Sequence, residues 1–349
     1  MDDSVERGRR SEAAAVSLQR VVVRRFTADA SGLELRSEHP GRIPRGRVRV
    51  RVQYASIGST DAVAARGGYL LQPRPGFTPG YDFVGVVERT TPAAFARGLT
   101  EGTRVAGCLP RMGSYASSVD VPADALVRVP DTLVSPVAAA MPLDLVTAAL
   151  ALRTARAHPP GPVFVHGASG AVGRLVVQRA VREHIPVIGS SSERNREAVL
   201  AMGAAWVDYR DPGLVEKILS MAPKGVQSAI DHTRSAFTRR FVAPTGRIVH
   251  LAFAGRPGEE KRATLLGSMS ALSRSLARPR ERIVSVPLFI ALRRSAYLRT
   301  LTAELDSVAR GDLRAPDIQV VSMDDIRGAF QRVDRLEAGA KLVLEVTKP

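Results

Sequence analysis

Residues 163–173 read Val-Phe-Val-His-Gly-Ala-Ser-Gly-Ala-Val-Gly, and this stretch decides the fold. A short apolar run leads directly into glycines spaced G-x-x-G-x-x-G, and a segment with apolar residues on one helical face follows. Such glycines let the backbone turn sharply and approach a pyrophosphate, while the helix N-terminus offers free N–H groups to the phosphate oxygens. The stretch therefore predicts a dinucleotide site. Its predicted contacts are Gly167, Ala168, Ser169, Gly170, Ala171, Val172 and Gly173.

Alternating strand and helix patterns continue after this unit. The predicted strands are residues 186–188, 206–207, 228–230, 247–252 and 341–346, and the predicted helices are residues 195–202, 214–221 and 295–310. Strands that alternate with helices predict βαβ units and a parallel, doubly wound sheet. A glycine turn without a ligand is the alternative interpretation, and the repeated βα units count against it.

The end of the second predicted strand distinguishes NAD from NADP. NAD sites usually place an acidic residue there to bind the ribose hydroxyls. Here the strand ends with Ser190, Ser191 and Ser192, and Arg194 follows shortly after. Hydroxyl and guanidinium groups suit a 2′-phosphate, which a carboxylate would repel. The sequence predicts NADPH, although the same residues could also cap the next helix.

The segment before residue 130 has a different character, because it is rich in β-branched residues. In residues 47–57, Val48, Val50 and Val52 alternate with polar residues, which is the period of a half-buried strand. Residues 21–25 form a second such run, and glycines and prolines punctuate the rest as turns. This pattern predicts a compact, twisted β domain.

The bulk composition indicates a soluble enzyme-sized protein. The chain has 349 residues, 45% apolar and 24% charged, which is enough for two domains. No uninterrupted apolar stretch approaches the roughly 20 residues of a membrane helix. Cys108 is the single cysteine, so neither an internal disulfide nor a multi-cysteine zinc site is possible. The mixed charge after Met1 predicts a cytoplasmic protein with a disordered tail at residues 1–16.

The net charge of +16 comes mainly from arginine. Coding bias alone could produce this excess, and the functional alternatives are an acidic partner, a phosphorylated substrate or an anionic membrane surface. Nucleic acid is disfavoured, because the basic residues are scattered and aromatics make up only 5% of the chain. Arginines concentrate in residues 268–299 around an apolar run. We interpret this segment either as a surface helix with an interface strand or as a docking face for an acidic carrier protein or a membrane.

The two parts of the chain together resemble one family, the medium-chain dehydrogenase/reductases, specifically the zinc-free quinone oxidoreductase and zeta-crystallin branch. The resemblance covers about residues 21–346. Besides the glycine loop, its motifs are residues 57–61 (Ile-Gly-Ser-Thr-Asp), 66–69 (Arg-Gly-Gly-Tyr), 78–87 (Thr-Pro-Gly-Tyr-Asp-Phe-Val-Gly-Val-Val), 142–148 (Pro-Leu-Asp-Leu-Val-Thr-Ala), 191–195 (Ser-Ser-Glu-Arg-Asn), 207–210 (Val-Asp-Tyr-Arg) and 339–344 (Gly-Ala-Lys-Leu-Val-Leu).

This resemblance implies an α/β fold with a GroES-like β domain and a Rossmann domain of doubly wound parallel sheet. We expect the GroES-like catalytic domain at residues 17–137, the NADP-binding domain at 138–290, and a return to the catalytic domain at 291–349. A small-molecule substrate would bind in the cleft between the domains. The resemblance also implies a homodimer through the edge of the nucleotide-binding sheet, with residues 283–286 as the edge strand.

The resemblance also implies the site residues and the chemistry. Zinc-dependent members carry Gly-His-Glu where this chain has Gly80-Tyr81-Asp82, so no metal is expected. Hydride transfer from NADPH to a quinone or an activated alkene (enone) remains, because such an acceptor spreads the incoming charge over its own π-system. The implied catalytic residues are Tyr69, as a donor to the acceptor oxygen, and Asp61. Further implied cofactor contacts are Thr147, Tyr209, Ala252, Phe253 and Lys341.

Some of these roles have structural alternatives, and some positions depart from the family pattern. Tyr69 could be a packing residue, and Asp61 fits a helix cap better than a base. Gly58 and Val63 stand where many quinone reductases carry asparagine and tyrosine, and His232 follows Asp231 where Gly-Gly is usual. These losses put a simple quinone substrate in doubt. The alternatives are an enoyl or tailoring reductase for polyketide-like or carrier-bound intermediates, and a non-catalytic NADP-binding protein.

Overall fold

The computed structural model of the chain describes residues 17–233, 236–253, 255, 258–277 and 279–347. The predicted tail at residues 1–16 lies outside this range. The strands are β1 (Leu18–Val23), β2 (Leu33–Glu38), β3 (Arg47–Ile57), β4 (Asp82–Arg89), β5 (Arg104–Cys108), β6 (Ser118–Pro122), β7 (Leu126–Arg128), β8 (Val163–His166), β9 (Val187–Ser191), β10 (Ala205–Asp208), β11 (Val226–Asp231), β12 (Val242–His250), β13 (Arg280–Ile283), β14 (Asp317–Ser322) and β15 (Ala340–Glu345).

Helices alternate with these strands mainly in the second half of the chain. They are α1 (Ser59–Ala65), α2 (Pro92–Phe95), α3 (Ser135–Ala140), α4 (Pro142–Ala155), α5 (Ala171–Arg182), α6 (Arg196–Leu200), α7 (Leu214–Met221), α8 (Glu260–Ser273), α9 (Val286–Leu292), α10 (Arg294–Ala309) and α11 (Ile326–Arg332). Among the described residues, no helix is both long and apolar enough to cross a bilayer.

A six-stranded parallel sheet carries the predicted dinucleotide unit. Its strand order is β10-β9-β8-β11-β12-β13, so the chain winds outward from β8 in one direction and then from β11 in the other. Strands β8 and β11 are therefore the point where the winding reverses. Ligands of open α/β sheets bind beyond the carboxyl ends of the strands at this point, and the glycine loop begins there, directly after β8.

A largely antiparallel sheet is built from the first and the last parts of the chain. Its order is β14-β15-β3-β4-β5-β7, and β6 pairs with β3 as well. The closing strand β15 lies antiparallel to β3, with Leu342 opposite Ile57. The predicted fold class, a GroES-like β domain with a doubly wound parallel sheet, is confirmed, while the residue boundaries of the domains stay a prediction.

Helix α4 joins the two sheets. Its sequence is apolar on every side, as expected for a helix that packs on several neighbours, and most of it is buried, including Leu145, Val146 and Ala151. These residues belong to one core cluster that also contains Val165 of β8 and Val84 of β4. The helix ends at Arg156, which adopts a left-handed conformation.

Residues 283–286 do not form the expected edge strand as a unit. β13 is one of the two edge strands of the described parallel sheet and ends at Ile283, and Val286 begins α9 with Pro287 in its first turn. The β-branched residues favoured a strand, but proline is well tolerated in the first turn of a helix and cannot donate to a sheet. The predicted helix at residues 295–310 is confirmed within one residue as α10.

Gly85 offers a direct test of strand packing in the antiparallel sheet. A Cβ at this position would lie 2.2 Å from the backbone oxygen of Arg51. We expect Gly85→Ala to lower the free energy of unfolding by about 1–3 kcal/mol, because backbone must move to relieve the overlap. Urea denaturation measures this. Gly41→Ala is the matched control, since a Cβ there meets nothing within 4 Å; equal stability of the two variants would contradict the packing.

Candidate functional site

The glycine loop forms a cradle of backbone amides. Gly167 has a φ of +71°, and the N–H of Ala168 donates to the backbone oxygen of Ser190 at 2.9 Å, which ties the loop to β9. The first bond of α5 runs from Arg174 N to Gly170 O, so the amides of residues 171–173 precede the helical hydrogen bonds. These amides can bind a diphosphate.

Close packing of α5 on the loop depends on Gly173. A Cβ there would lie 2.1 Å from the backbone oxygen of Gly167, so no larger residue fits. Asn195 also donates through Nδ2 to Oγ of Ser169 at 3.1 Å, which joins the loop to the segment after β9. The structure thus brings the predicted residues 167–173 together as one cradle, and this geometry fits the diphosphate of a dinucleotide.

The three serines at the end of β9 differ in burial and in hydrogen bonding. Ser190 is fully buried and its Oγ lies 3.0 Å from Nδ1 of His166, while Ser191 accepts a 2.9 Å bond from Nε1 of Trp206. Both hydroxyls therefore already have partners within the protein. Ser192 and Arg194 are more accessible, and Arg194 is exposed.

Tyr209 and Arg210 follow β10 and lie beside the carboxyl end of β9, at one corner of the parallel sheet. The N–H of Tyr209 donates to the backbone oxygen of Ser191 at 3.2 Å, and the Arg210 guanidinium lies 5.2 Å from the centre of the Tyr209 ring. Arg210 was not among the predicted contacts, although it stands in the quoted 207–210 motif. The corner thus holds two arginines, Arg194 and Arg210, which suit a phosphate group.

His232 fills the space above the first glycine of the loop. Its Nδ1 donates to the backbone oxygen of His166 at 3.2 Å, and the two imidazole centres are 4.9 Å apart. A Cβ on Gly167 would lie 2.6 Å from Cε1 of His232. Burial lowers the pKa of both rings, and the proximity of His232 helps to bring that of His166 to about 4. The histidine pair is therefore neutral at pH 7.

The two predicted cofactor contacts after β12, Ala252 and Phe253, differ in how much of their surface is exposed. Ala252 is exposed, whereas Phe253 is 6% exposed and stacks on His250 with ring centres 5.1 Å apart. A Cβ on Gly267 would lie 2.2 Å from the Phe253 ring, so α8 lies directly against it. Phe253 is mainly a packing residue between β12 and α8, and its role as a cofactor contact stays a prediction.

Thr147 and Asp144, the partner of Lys341, both lie near the N-terminus of α4. Thr147 donates to the backbone oxygen of Leu143 at 2.6 Å, within its own helix. Lys341 is buried and forms a 2.6 Å ion pair with Asp144. Burial alone would lower the pKa of Lys341, but the charge of Asp144 raises it overall. Lys341 also lines a shallow surface depression together with Ala171, so its charge lies close to the glycine loop.

Asp61 is bound by two backbone amides. Its Oδ2 accepts the N–H of Gly58 at 2.9 Å, and its Oδ1 accepts the N–H of Gly80 at 3.1 Å. Burial raises its pKa to about 6, against the lowering effect of these bonds. This geometry matches the alternative interpretation of Asp61 as a helix cap and anchor, and its catalytic role stays a prediction.

The hydroxyl groups of Tyr69 and Tyr81 form a hydrogen-bonded pair. In the sequence, Tyr81 was noted only as the residue that stands where zinc-dependent members carry histidine. The two hydroxyl oxygens are 2.7 Å apart, and the rings meet edge to face with centres 6.3 Å apart. Burial raises the pKa of both phenols above the usual value. Both therefore stay protonated near neutral pH, so one can donate to the other while the second proton remains for a ligand.

The comparison with known proteins fits this geometry. The alcohol dehydrogenase GroES-like domain model matches residues 44–131. Quinone oxidoreductase-like protein 2 of Bos taurus is 27% identical over 307 residues, which is 86% of this chain and 85% of the bovine one. A trans-enoyl reductase of a Pyrenochaetopsis species is 31% identical over 201 residues, covering 53% of this chain and 54% of that protein.

Among solved structures, a quinone oxidoreductase from Pseudomonas syringae superimposes with a TM-score of 0.75 at 21% identity, over 94% of this chain and 99% of that one. The fold of both sheets is thus matched. Over most of its length the chain is similar to the zinc-free quinone oxidoreductases of the medium-chain dehydrogenase/reductases. These similarities support an oxidoreductase.

Tyr81 stands at the position where the zinc-dependent proteins of the resembled family carry the histidine of their Gly-His-Glu motif. Within the described residues, no three His, Cys, Asp or Glu side chains converge as metal ligands would. The next residue, Asp82, accepts the N–H of Leu143 on both oxygens at 3.0 Å and so fixes the start of α4. The sequence did not single out this role, because Leu143 is distant in the chain.

The protonation of Asp82 should make stability depend on pH. Burial and the nearby charge of Asp144 raise its pKa to about 8. Between the ordinary pKa and that value, the folded state holds a proton that the unfolded state has lost, so stability falls as pH rises. We expect the free energy of unfolding of the native chain, relative to Asp82→Asn, to fall by more than about 1 kcal/mol from pH 5 to pH 8.5.

Chemical denaturation at several pH values measures this difference. Asp324→Asn changes an exposed carboxyl and is the matched control, which should show no comparable trend. A difference between the native chain and Asp82→Asn that is constant with pH would show that Asp82 is ionised in the folded protein.

Proposed function

We propose that this protein is an NADPH-dependent reductase that transfers a hydride to a quinone or an activated alkene, with Tyr69 as the donor to the acceptor oxygen. The hydrogen-bonded pair of Tyr69 and Tyr81 carries this proposal. It is a neutral proton donor at the place where zinc-dependent relatives bind their metal. The names of two relatives, a quinone oxidoreductase-like protein of Bos taurus and a quinone oxidoreductase of Pseudomonas syringae, support the same acceptor class.

NADPH, when bound, supplies the hydride. The amides of residues 171–173 would hold its diphosphate, and the corner with Ser192, Arg194 and Arg210 would hold its 2′-phosphate. The absence of an acid among residues 190–192 supports NADPH over NADH, and Glu193 is exposed and within 3.6 Å of Arg196. The predicted contacts Ser190 and Ser191 would contribute to the cofactor site mainly through their backbone conformation, because their hydroxyls already have partners within the protein.

The acceptor step needs one proton for each hydride. As the hydride adds to a conjugated carbon, the electron pair of the π-bond moves to the carbonyl oxygen. The phenol proton of Tyr69 is then donated to that oxygen, and Tyr81 donates to Tyr69, so the developing negative charge is shared by two hydrogen bonds. Since the pair is largely buried, water is excluded from the oxygen and the donors are held in place.

Replacing Tyr69 tests this role. Tyr69→Phe removes one hydroxyl and should lower kcat with an enone by about tenfold to a hundredfold, while the Kd for NADPH changes little. Stopped-flow hydride transfer and fluorescence titration of NADPH measure the two quantities. Tyr54→Phe is the matched control, since its hydroxyl lies at Glu345 on β15. Unchanged kcat in Tyr69→Phe would refute the donor role.

Replacing Arg194 tests the cofactor preference. Arg194→Ala should weaken NADPH binding by about tenfold or more and leave NADH binding nearly unchanged, because only NADPH carries the 2′-phosphate. Arg196→Ala is the matched control, since that guanidinium lies 5.3 Å from the Trp206 ring and close to Glu193. Isothermal titration with both cofactors measures this, and equal effects on both would argue for NAD.

Enoyl reduction is the second candidate function, supported by the similarity to a trans-enoyl reductase. An enoyl thioester is itself an activated alkene, so the same Tyr69 proton would serve it. An acidic carrier protein as partner, a homodimer through the edge of the nucleotide-binding sheet and a cytoplasmic location stay predictions. Binding of NADPH without turnover of any quinone, enone or enoyl thioester would instead favour the non-catalytic alternative.

A further inference from the structure

Two histidines meet at the point where the winding of the parallel sheet reverses. His166 ends β8, and His232 is the first residue after β11, the strand that pairs with β8. Their ring centres are 4.9 Å apart, and the ring planes are tilted by 33°. Neither imidazole takes part in the proposed hydride transfer, although the pair borders the glycine loop. Two titratable rings at the place where open α/β sheets bind their ligands require an explanation.

The hydrogen bond of His232 determines which of its two nitrogens carries the proton. Nδ1 lies 3.2 Å from the backbone oxygen of His166. A carbonyl oxygen only accepts hydrogen bonds, so in the neutral ring Nδ1 carries the hydrogen and Nε2 carries a lone pair. In the part of the chain that the structure describes, no donor or acceptor is paired with Nε2. Protonation of His232 therefore converts Nε2 from an acceptor into a donor.

This nitrogen is held against the glycine loop. A Cβ on Gly167 would lie 2.6 Å from Cε1 and 3.5 Å from Nε2 of His232, so the edge of the ring that contains these two atoms faces the loop backbone. The ring can approach so closely because glycine has no side chain. His232 is half-buried in this position. Its Nε2 therefore lies at the start of the amide cradle that would hold the diphosphate of the cofactor.

His166 supports this arrangement without competing for the proton. Its Nδ1 lies 3.0 Å from Oγ of Ser190, and its backbone oxygen accepts the bond from His232. Burial, together with the nearby charge of His232, lowers the pKa of His166 to about 4. Two positive rings at this separation would also repel each other. Near neutral pH, His232 is therefore the member of the pair that can take up a proton.

The carboxylate of Asp231 favours a proton on His232. Burial lowers the pKa of His232, and the charge of Asp231 opposes that effect. Asp231 is fully buried and accepts bonds from the N–H and the hydroxyl of Thr233, at 2.7 and 2.8 Å, which fix its position. Its Oδ2 also lies 4.0 Å from Nδ1 of His250, whose Nε2 is 2.9 Å from Glu281. A negative charge is thus already in place near the ring.

Aromatic rings pack against His166 as well. The ring centres of Tyr209 and Phe237 lie 6.4 and 5.7 Å from that of His166, and both rings meet it edge to face. The centre of the Tyr209 ring is in turn 5.2 Å from the guanidinium of Arg210, which is positive. These three neighbours supply no carboxylate. The negative charge that stabilises a protonated ring must therefore come from Asp231 or from a bound anion.

We propose that His232 is a proton-switched contact of the dinucleotide: its ring takes up a proton as the cofactor binds, and Nε2–H then donates to the diphosphate. This inference rests on the cofactor part of the proposed function and not on the hydride acceptor. In the free protein the lone pair of Nε2 repels a phosphate oxygen. The two negative charges of the diphosphate favour the imidazolium, so one proton comes from solvent and a charge-assisted hydrogen bond forms.

The affinity for the cofactor should therefore depend on pH. The pKa of His232 is lowered in the free protein, and a bound diphosphate would raise it. Between these two values the complex holds a proton that the free protein lacks, so the affinity falls as pH rises. We expect the Kd for NADPH to rise by about threefold to tenfold per pH unit between about pH 6.5 and pH 8, where uptake of one full proton corresponds to about tenfold.

Isothermal titration of the full chain with NADPH counts the protons directly. Titrations at about pH 7 in phosphate and in Tris, whose ionisation enthalpies differ, give the number of protons taken up per bound cofactor. We expect about 0.3–1 proton for the native chain. NADH carries the same diphosphate without the 2′-phosphate, so a similar uptake is expected for NADH. Uptake with NADPH alone would assign the proton to the 2′-phosphate corner and overturn the role of His232.

Two substitutions of His232 separate its proton from its shape. His232→Asn keeps an amide that can donate to the backbone oxygen of His166 but has no group that titrates. The ratio of its Kd for NADPH to that of the native chain should be about fivefold to tenfold at about pH 6.5 and approach one at about pH 8.5, because the native ring is then neutral. His232→Gln places a neutral donor nearer to the Nε2 position, so it should recover part of the affinity without proton uptake.

His184→Asn is the matched control for these variants. His184 is exposed, lies just beyond the last residues of α5 and has a φ of +57°, a conformation that asparagine tolerates. This variant makes the same chemical change at the end of α5 that is distant from the glycine loop. It should keep the native Kd for NADPH and the native proton uptake at every pH.

Three further outcomes would overturn the proposal. NADPH could bind to the native chain without proton uptake, or the uptake could persist in His232→Asn, which would assign the proton to another group. The ratio of the two Kd values could also be constant with pH, as expected for a purely structural role of the ring. Failure of the proposed function is distinguishable: if neither NADPH nor NADH binds, the cofactor site itself is wrong, whereas hydride transfer without proton uptake on binding removes only the role of His232.

Discussion

The bond between the buried carboxyl of Asp82 and the backbone amide of Leu143 holds the two halves of this protein together. It connects β4 of the antiparallel sheet to the first turn of α4, the helix that packs against the parallel sheet. A short distance away, the ion pair of Asp144 and Lys341 joins the same helix to β15. Both contacts are buried, and an unpaired polar group in a buried position costs free energy. The sheets therefore cannot separate without leaving these groups unpaired or exposed.

The same arrangement positions the two phenols on which the proposed function depends. Tyr81 directly precedes Asp82, so the residue that anchors α4 also sets the position of the phenol pair. Thr147 is one helical turn further along α4, bonded to Leu143. The Tyr69–Tyr81 pair and α4 are thus positioned by one set of buried polar contacts, and the cost of burying these groups is offset only while all partners are present.

Sequence patterns predicted the parts of the structure that depend on local order. The glycine loop, the alternation of strands and helices and α10 follow from neighbouring residues, and they are found where expected. Long-range pairs were not visible: Lys341 and Asp144 are 197 positions apart. The phenol partner of Tyr69 was missed because Tyr81 was considered only as a lost metal ligand. Phe253 packs beneath α8 because Gly267 leaves room there, which no local pattern reveals.

The position of β15 has a consequence for biosynthesis. The strand β15, which closes the antiparallel sheet, lies next to β3, whose residues are made nearly three hundred positions earlier. During translation residues 54–57 of β3 therefore lack their β15 partner while the entire parallel sheet is being synthesised, although β6 already pairs with residues 47–51. Unpaired strand edges are prone to aggregate. Nascent chains of this protein should thus be most at risk of aggregation until β15 has been made, and the parallel sheet is able to form before the antiparallel sheet is complete.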